Sequence, residues 1–337
     1  MTCTKANSVT RSSLRQSGCG PWNGFLFAGQ KRGAAPGLAL RGRRIDVTFG
    51  VIAMGVESDY QVMASARRVI ATRQTKEIGR CIYCGSTDGK LSEEHVTPFG
   101  LSGLLVLLNA SCERHSTVTS ALEDRILRGM FFASRAALGT RTRRKKLRAR
   151  PHPMTVEKNG QRNTVYKVWQ DHWKVIQLPI FPLPAHIDGR VYSGGICYTS
   201  MDIFELGERQ EDIARRLGVD KVFAPEFKAE DFARFIAKMA YGYAVERYGL
   251  DAFEEVYPLA AMLGESDDIG RWVGCSDRRE LPVRQCIVSV GFKIIPGDDL
   301  VVKVKMFPRF DGAEYVVVIG KVKEIYRNYF HSIGEKG

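Results

Sequence analysis

Cys81-Ile82-Tyr83-Cys84 and Cys112-Glu113-Arg114-His115 are the two places where this chain concentrates residues able to do chemistry. Two residues between paired ligands let the backbone fold back, so that both members grip one side of a tetrahedral metal ion. A second pair some thirty residues on completes four ligands of the kind Zn²⁺ takes. Between the pairs lies Glu93-Glu94-His95-Val96-Thr97-Pro98, where a carboxylate directly precedes a histidine. An acid and an imidazole in that position suggest proton transfer or ion binding as well as scaffolding.

The surrounding pattern supplies elements to hold these groups. Gly85-Ser86-Thr87-Asp88-Gly89 is a turn cluster, and Leu91 to Val96 reads as an extended segment that delivers His95. Pro98, Gly100 and Gly103 mark a loop, and Leu104 to Leu108 is a short apolar run suited to a buried second strand. Ser120-Ala121-Leu122-Glu123 has capping-box spacing, with Ser116 or Thr117 as an earlier start. Val118, Leu122, Ile126 and Met130 recur every four residues and predict one apolar helical stripe. The order is strand, loop, strand, helix, with the candidate ligands at the joints. Upstream, the apolar residues between Ser58 and Gly79 suggest a short helical lead-in.

Cys-x-x-Cys-Gly, Glu-Glu-His-Val-x-Pro, Leu-x-Gly, Ala-Ser-Cys-x-x-His and the Thr-x-x-Leu-Glu of the helix together resemble an HNH endonuclease domain of the zinc-knuckle type, over roughly residues 81 to 127. Ala237-Lys238-Met239-Ala240 and Trp272-Val273-Gly274 more weakly resemble the C-terminal part of uncharacterised bacterial HNH proteins. The resemblance implies a ββα-metal fold in which a structural Zn²⁺ on Cys81, Cys84, Cys112 and His115 ties the hairpin to the helix. It implies His95 as general base and Glu94 as ligand of a catalytic Mg²⁺ or Mn²⁺, with phosphodiester hydrolysis in DNA as the activity. The chain departs from the family at Ser116, where many members carry Asn or His as a further ligand. Asn109 lies before Cys112, out of that place, whereas Glu123 is two helical turns beyond Ser116 and could contribute a carboxylate. Alternatively His115 serves the catalytic ion and zinc is held incompletely.

At 337 residues, 44% apolar and 26% charged, the chain is long enough for two or three domains with ordinary cores. The expected fold class is α+β: a ββα-metal zinc-knuckle domain followed by a mixed α+β C-terminal region. We expect a basic, disordered segment at 1–53, the zinc and nuclease domain at 54–140, a basic linker at 141–150 and an accessory domain at 151–330. The formal charge of +13 invites a polyanionic partner, though eight of the positive charges fall before residue 46, where there is no acid. That segment also resembles a transit peptide, and a native start at Met54 is a further alternative. Within the linker, Arg141, Arg143, Arg144, Lys145 and Lys146 are candidate phosphate contacts; a solvated linker accounts for them equally well.

Beyond Pro151, Asn159-Gly160 hints at a hairpin, and Val175 to Leu178 reads as a strand. Phe232, Phe235, Ile236, Met239 and Tyr243 predict a helix ending at Gly249. Asp251 to Leu263 reads as a second helix, interrupted or bent near Pro258, followed by three strands at 287–292, 300–306 and 314–319. Eight cysteines without a disulfide framework point to a reducing, cytoplasmic compartment, and no apolar run reaches the roughly 18 residues of a membrane span. There is no Walker loop, Gly-x-Gly-x-x-Gly or Gly-x-Ser-x-Gly. Two further function classes stay open beside the nuclease. One is a non-catalytic zinc-containing nucleic-acid-binding protein with a degenerate site; the other is a protein-interaction platform stapled by zinc.

Overall fold

The apolar run before Cys112 becomes the centre of a three-stranded sheet. The computed structural model describes residues 73–143, 150–277, 280–282, 284 and 286–326. Its elements begin with strands β1 (Gln74–Glu77), β2 (Ser92–His95) and β3 (Leu105–Ser111), in the order β1-β3-β2. β3 runs antiparallel to β2 and parallel to β1, and it buries Val106, Leu107 and Ala110. The helical lead-in expected up to Gly79 is a strand where it is described. The backbone of Gln74 and Ile78 donates to Leu104 and Leu108, so the open edge of β3 captures this segment.

Helix α1 (Glu113–Arg128) starts a turn earlier than its Ser and Thr signals suggest, because Cys112 is itself the flanking residue. It buries Leu122 and Ile126, while Val118 at the head of the expected stripe is exposed. The short helix α2 (Phe132–Ala137) follows.

Strands β4 (His152–Lys158) and β5 (Gln161–Lys167) form the expected hairpin. Asn159 and Gly160 both take positive φ, 54° and 73°, as the tight two-residue turn between right-twisted strands requires. Strand β6 (Val175–Ile180) leads through helix α3 (Ala185–Asp188) to strand β7 (Ser200–Glu205), its antiparallel partner. Helix α4 (Gln210–Leu217) then delivers β8 (Lys221–Val222) to β4.

Helix α5 (Ala229–Tyr248) is buried along most of its length, the polar Asp231 and Lys238 included, as befits a helix inside a core. The helix expected at 251–263, interrupted or bent near Pro258, is present only after Pro258, as α6 (Leu259–Leu263); its first half is strand β9 (Phe253–Val256). Phe253 to Val256 extends because strand β13 (Glu314–Val322) offers an edge to pair with. Helix α7 (Ile269–Trp272), β10 (Val273–Cys275), β11 (Val288–Ile295) and β12 (Asp299–Met306) complete a sheet of order β10-β13-β12-β11 with β9 also on β13. The three late strands were legible in the sequence.

Because α5 needs cover on all sides, it packs against α1 on one flank and β12 and β13 on another. One core therefore holds Ile82, Val96 and Leu107 together with Phe232, Tyr241, Val304 and Tyr315. The segments expected as zinc domain and accessory domain share that core across the linker. Among the described residues no helix is long and apolar enough to cross a membrane. The expected N-terminal segment, most of the lead-in, and Arg144, Lys145 and Lys146 lie outside the described residues.

Candidate functional site

The first Cys pair is shaped by a turn in which Gly85 N–H donates to the Cys81 carbonyl and takes φ of 74°. Ile82 N–H donates to Ala110 on β3, which fixes this turn beside Cys112. The second pair opens α1. The ligand atoms of Cys81, Cys84, Cys112 and His115 all lie within 4.8 Å of one another. Cys84 Sγ is 4.0 Å from Cys112 Sγ, and His115 Nδ1 is 3.4 Å from Cys81 Sγ and 3.1 Å from Cys112 Sγ. A tetrahedral zinc with these donors has ligand–ligand edges of about 3.5–3.8 Å. The four residues fit such an ion. The backbone N–H of His115, at the helix N-terminus, pulls the Cys112 thiol pKa below its ordinary value and favours the thiolate a metal needs. Burial pushes the Cys81 thiol up, and it lowers the His115 pKa, keeping that imidazole neutral for ligation.

Strand β2 and helix α1 bring Glu94, His95 and Glu123 to one wall of a cavity of about 580 Å³. The alternation of β2 turns Glu94 and Val96 toward α5, which supplies a residue the sequence reading did not select, Lys238. Its ammonium lies 2.5 Å from Glu94 Oε1 and 2.6 Å from Glu123 Oε1, and donates to the His95 carbonyl at 2.5 Å. Gly242, one turn beyond Lys238, permits this approach: a Cβ there would stand 3.2 Å from Val96 Cγ1. Glycine inside a helix costs about 1 kcal/mol relative to alanine, so the close contact offsets a real penalty. Tyr243 and Thr97 share a 2.8 Å hydroxyl hydrogen bond that adds a second tie between α5 and the loop after β2.

The Lys238 side chain is 1% exposed. Burial opposes its charge, but Glu123 and Glu94 outweigh burial and raise its pKa above the ordinary value. Burial raises the Glu123 pKa despite the neighbouring ammonium. For His95, burial and the charges of Arg143 and Lys238 lower the pKa, so its ring is neutral at pH 7. Arg143 Nη2 donates to His95 Nε2 at 3.1 Å and its guanidinium lies over Phe99 at 5.3 Å. A guanidinium only donates, so Nε2 is the bare, basic nitrogen. His95 Nδ1 is buried without a partner among the described residues.

Of the sequence candidates, Glu94, His95 and Glu123 share this wall, and Arg143 joins them. Arg141 lies beside a smaller adjoining cavity. Ser116 lines the main cavity but spends its hydroxyl on the Glu113 carbonyl. Asn109 is away from the site, donating to Glu77 at 2.9 Å. His115 sits with the three cysteines, away from the carboxylates' shared ammonium. His152 also lines the cavity and lies against Phe132, with ring centres 3.6 Å apart and planes tilted by 31°.

The catalytic Mg²⁺ or Mn²⁺ that the resemblance implies does not fit this donor set. Hard divalent ions want several oxygen ligands. Here one oxygen of each acid is already bonded to the same fixed ammonium. Among the described residues the Cys81–His115 cluster is the one group of three or more His, Cys, Asp or Glu side chains gathered closely enough to hold a metal. No family model, curated protein or solved structure matches the chain.

Proposed function

We propose that this protein is a nuclease of the HNH type that hydrolyses phosphodiester bonds in DNA, with β2, β3 and α1 as a ββα unit pinned by a structural Zn²⁺. The observation that carries the reading is the neutral His95 ring, its basic nitrogen held by Arg143, on the wall of a cavity that also bears Arg128 and Arg150. Cationic side chains around a cavity suit a phosphate backbone. Zinc held by Cys81, Cys84, Cys112 and His115 would supply rigidity, tying the turn and the helix start between which His95 is carried.

In this reading Arg143 moves from His95 Nε2 to a phosphate oxygen, and Nε2 takes a proton from a water molecule. The water oxygen forms a bond to phosphorus, the P–O bond to the leaving sugar breaks, and the departing oxygen takes a proton from solvent. Lys238 holds the His95 main chain and the two acids, so the imidazole enters the reaction already oriented. Plasmid cleavage assayed in Mg²⁺, in Mn²⁺ and in EDTA, beside His95→Ala protein of unchanged zinc content, tests the assignment. Cleavage is expected to vanish in the variant; cleavage that survives refutes the role of His95. Cleavage that requires Mg²⁺ or Mn²⁺ returns a divalent ion to the site.

A second reading, a non-catalytic nucleic-acid-binding zinc protein, draws support from the same ammonium. Two acids sharing the single charge of Lys238 and an imidazole capped by Arg143 also describe a site that no longer turns over. That protein would bind DNA with steep salt dependence and cleave it under no condition.

A further inference from the structure

An ammonium has three donors, and Lys238 spends all of them on Glu94, Glu123 and the His95 carbonyl at the back of the cavity. Such a group is costly: buried ion pairs are often replaceable by apolar side chains without loss of stability. Here the apolar alternative was close at hand, since Phe235, Ile236, Met239 and Tyr241 around Lys238 are all fully buried. The ammonium is also fixed. It projects from a helix that is held against Val96, just after β2, at Gly242 and by the Tyr243–Thr97 hydroxyl pair, and its side chain is almost wholly enclosed. Two carboxylates carry −2 and the ammonium +1, which leaves these three groups with a single negative charge instead of the two a dication would need to find.

We propose that Lys238 is a built-in cation standing where related chemistry uses a divalent ion: it binds the two acids to each other and to the His95 main chain, and it keeps Mg²⁺ and Mn²⁺ from the site. Its role as a positioning residue in hydrolysis rests on the nuclease reading; its exclusion of ions does not.

The test is Mn²⁺ binding to the full chain with zinc loaded, followed by the electron paramagnetic resonance signal of free Mn²⁺. Wild-type protein is expected to take up no Mn²⁺ at submillimolar concentration that Glu123→Gln removes. Lys238→Met is expected to gain one Mn²⁺ per chain, and Lys238→Met with Glu123→Gln to lose it again. One Mn²⁺ bound by wild type and abolished by Glu123→Gln overturns the proposal, as does a folded Lys238→Met protein that gains none. Should Lys238→Met fail to fold, the comparison of wild type with Glu123→Gln decides alone. Cleavage assays separate the two readings. Cleavage sensitive to His95→Ala and persisting in EDTA, with zinc content verified afterwards, supports both. Cleavage strictly dependent on Mn²⁺ keeps the nuclease and sinks the built-in cation. Absence of cleavage sinks the nuclease, while Mn²⁺ binding still decides the role of Lys238.

Discussion

Replacing Lys238 by methionine keeps an unbranched side chain, one atom shorter, and deletes the ammonium, so its energetic effect can be worked from the contacts. Three oxygens lose their donor at once: Glu94 Oε1, Glu123 Oε1 and the His95 carbonyl. Removing one partner of a buried ion pair costs about 3–5 kcal/mol, because the other charge is left uncompensated. With two carboxylates stranded, and Glu94 only 5% exposed, the upper end applies, about 5 kcal/mol. That is comparable to the whole stability of many domains. The loss must also depend on pH. Burial already raises the Glu123 pKa, and losing the ammonium removes the charge that opposes the rise. A carboxyl whose folded pKa is raised binds its proton more tightly in the native state. Stability is then greatest below the ordinary carboxylate value and falls as pH climbs through the folded one. Urea unfolding at pH 5 and pH 8, at constant zinc content, should therefore show the larger deficit at pH 8. Adding Glu123→Gln to the variant should recover about 2 kcal/mol at pH 8, since one stranded charge becomes a neutral amide. A deficit below about 1 kcal/mol at pH 8, equal at both pH values, would refute the claim that this ammonium is the counter-charge of the two acids.

Two further outcomes follow from the geometry. Cys84 is the exposed member of the Cys/His cluster, so Cys84→Ser disturbs little packing and reports on the metal itself. Wild-type protein should release one zinc per chain to a thiol-reactive mercurial, and the variant should release less and melt lower by roughly 10 °C, as loss of several kcal/mol implies in a chain of this size. Equal zinc content and melting temperature would remove the metal from the account. Burial and the Arg143 and Lys238 charges lower the His95 pKa, so its basic form persists below the ordinary value of about 6.5. The acid limb of kcat/KM should fall below that pH and move upward in Arg143→Ala, where one of the depressing charges is gone; an acid limb above pH 7 in wild type contradicts the assignment.

The metal cluster was readable because its ligands lie in two short local pairs, and a spacing of two residues constrains geometry almost regardless of the rest of the fold. Glu94 and His95 were readable for the same reason, being adjacent on one strand. Strand β9 was not, since Phe253 to Val256 is extended by pairing with β13, a partner more than sixty residues away that local propensity does not register. Lys238 is the most instructive omission. It meets the His95 carbonyl across a separation of 143 residues, and as a lone lysine among apolar neighbours it passes for one whose stem is buried and whose head reaches water. The sequence favours that reading, since Asp231, Arg234 and Lys238 recur at i, i+3 and i+7 and share one side of α5 as a polar strip would. Tertiary contacts decide otherwise. Asp231 is taken up by Arg125 of α1 at 2.8 Å and Arg234 by the Ala261 carbonyl at 3.0 Å, so the strip is covered and the Lys238 ammonium is enclosed. A charge that cannot reach solvent must meet a counter-charge inside, and Glu94 and Glu123 supply it from β2 and α1, elements that no local pattern links to α5.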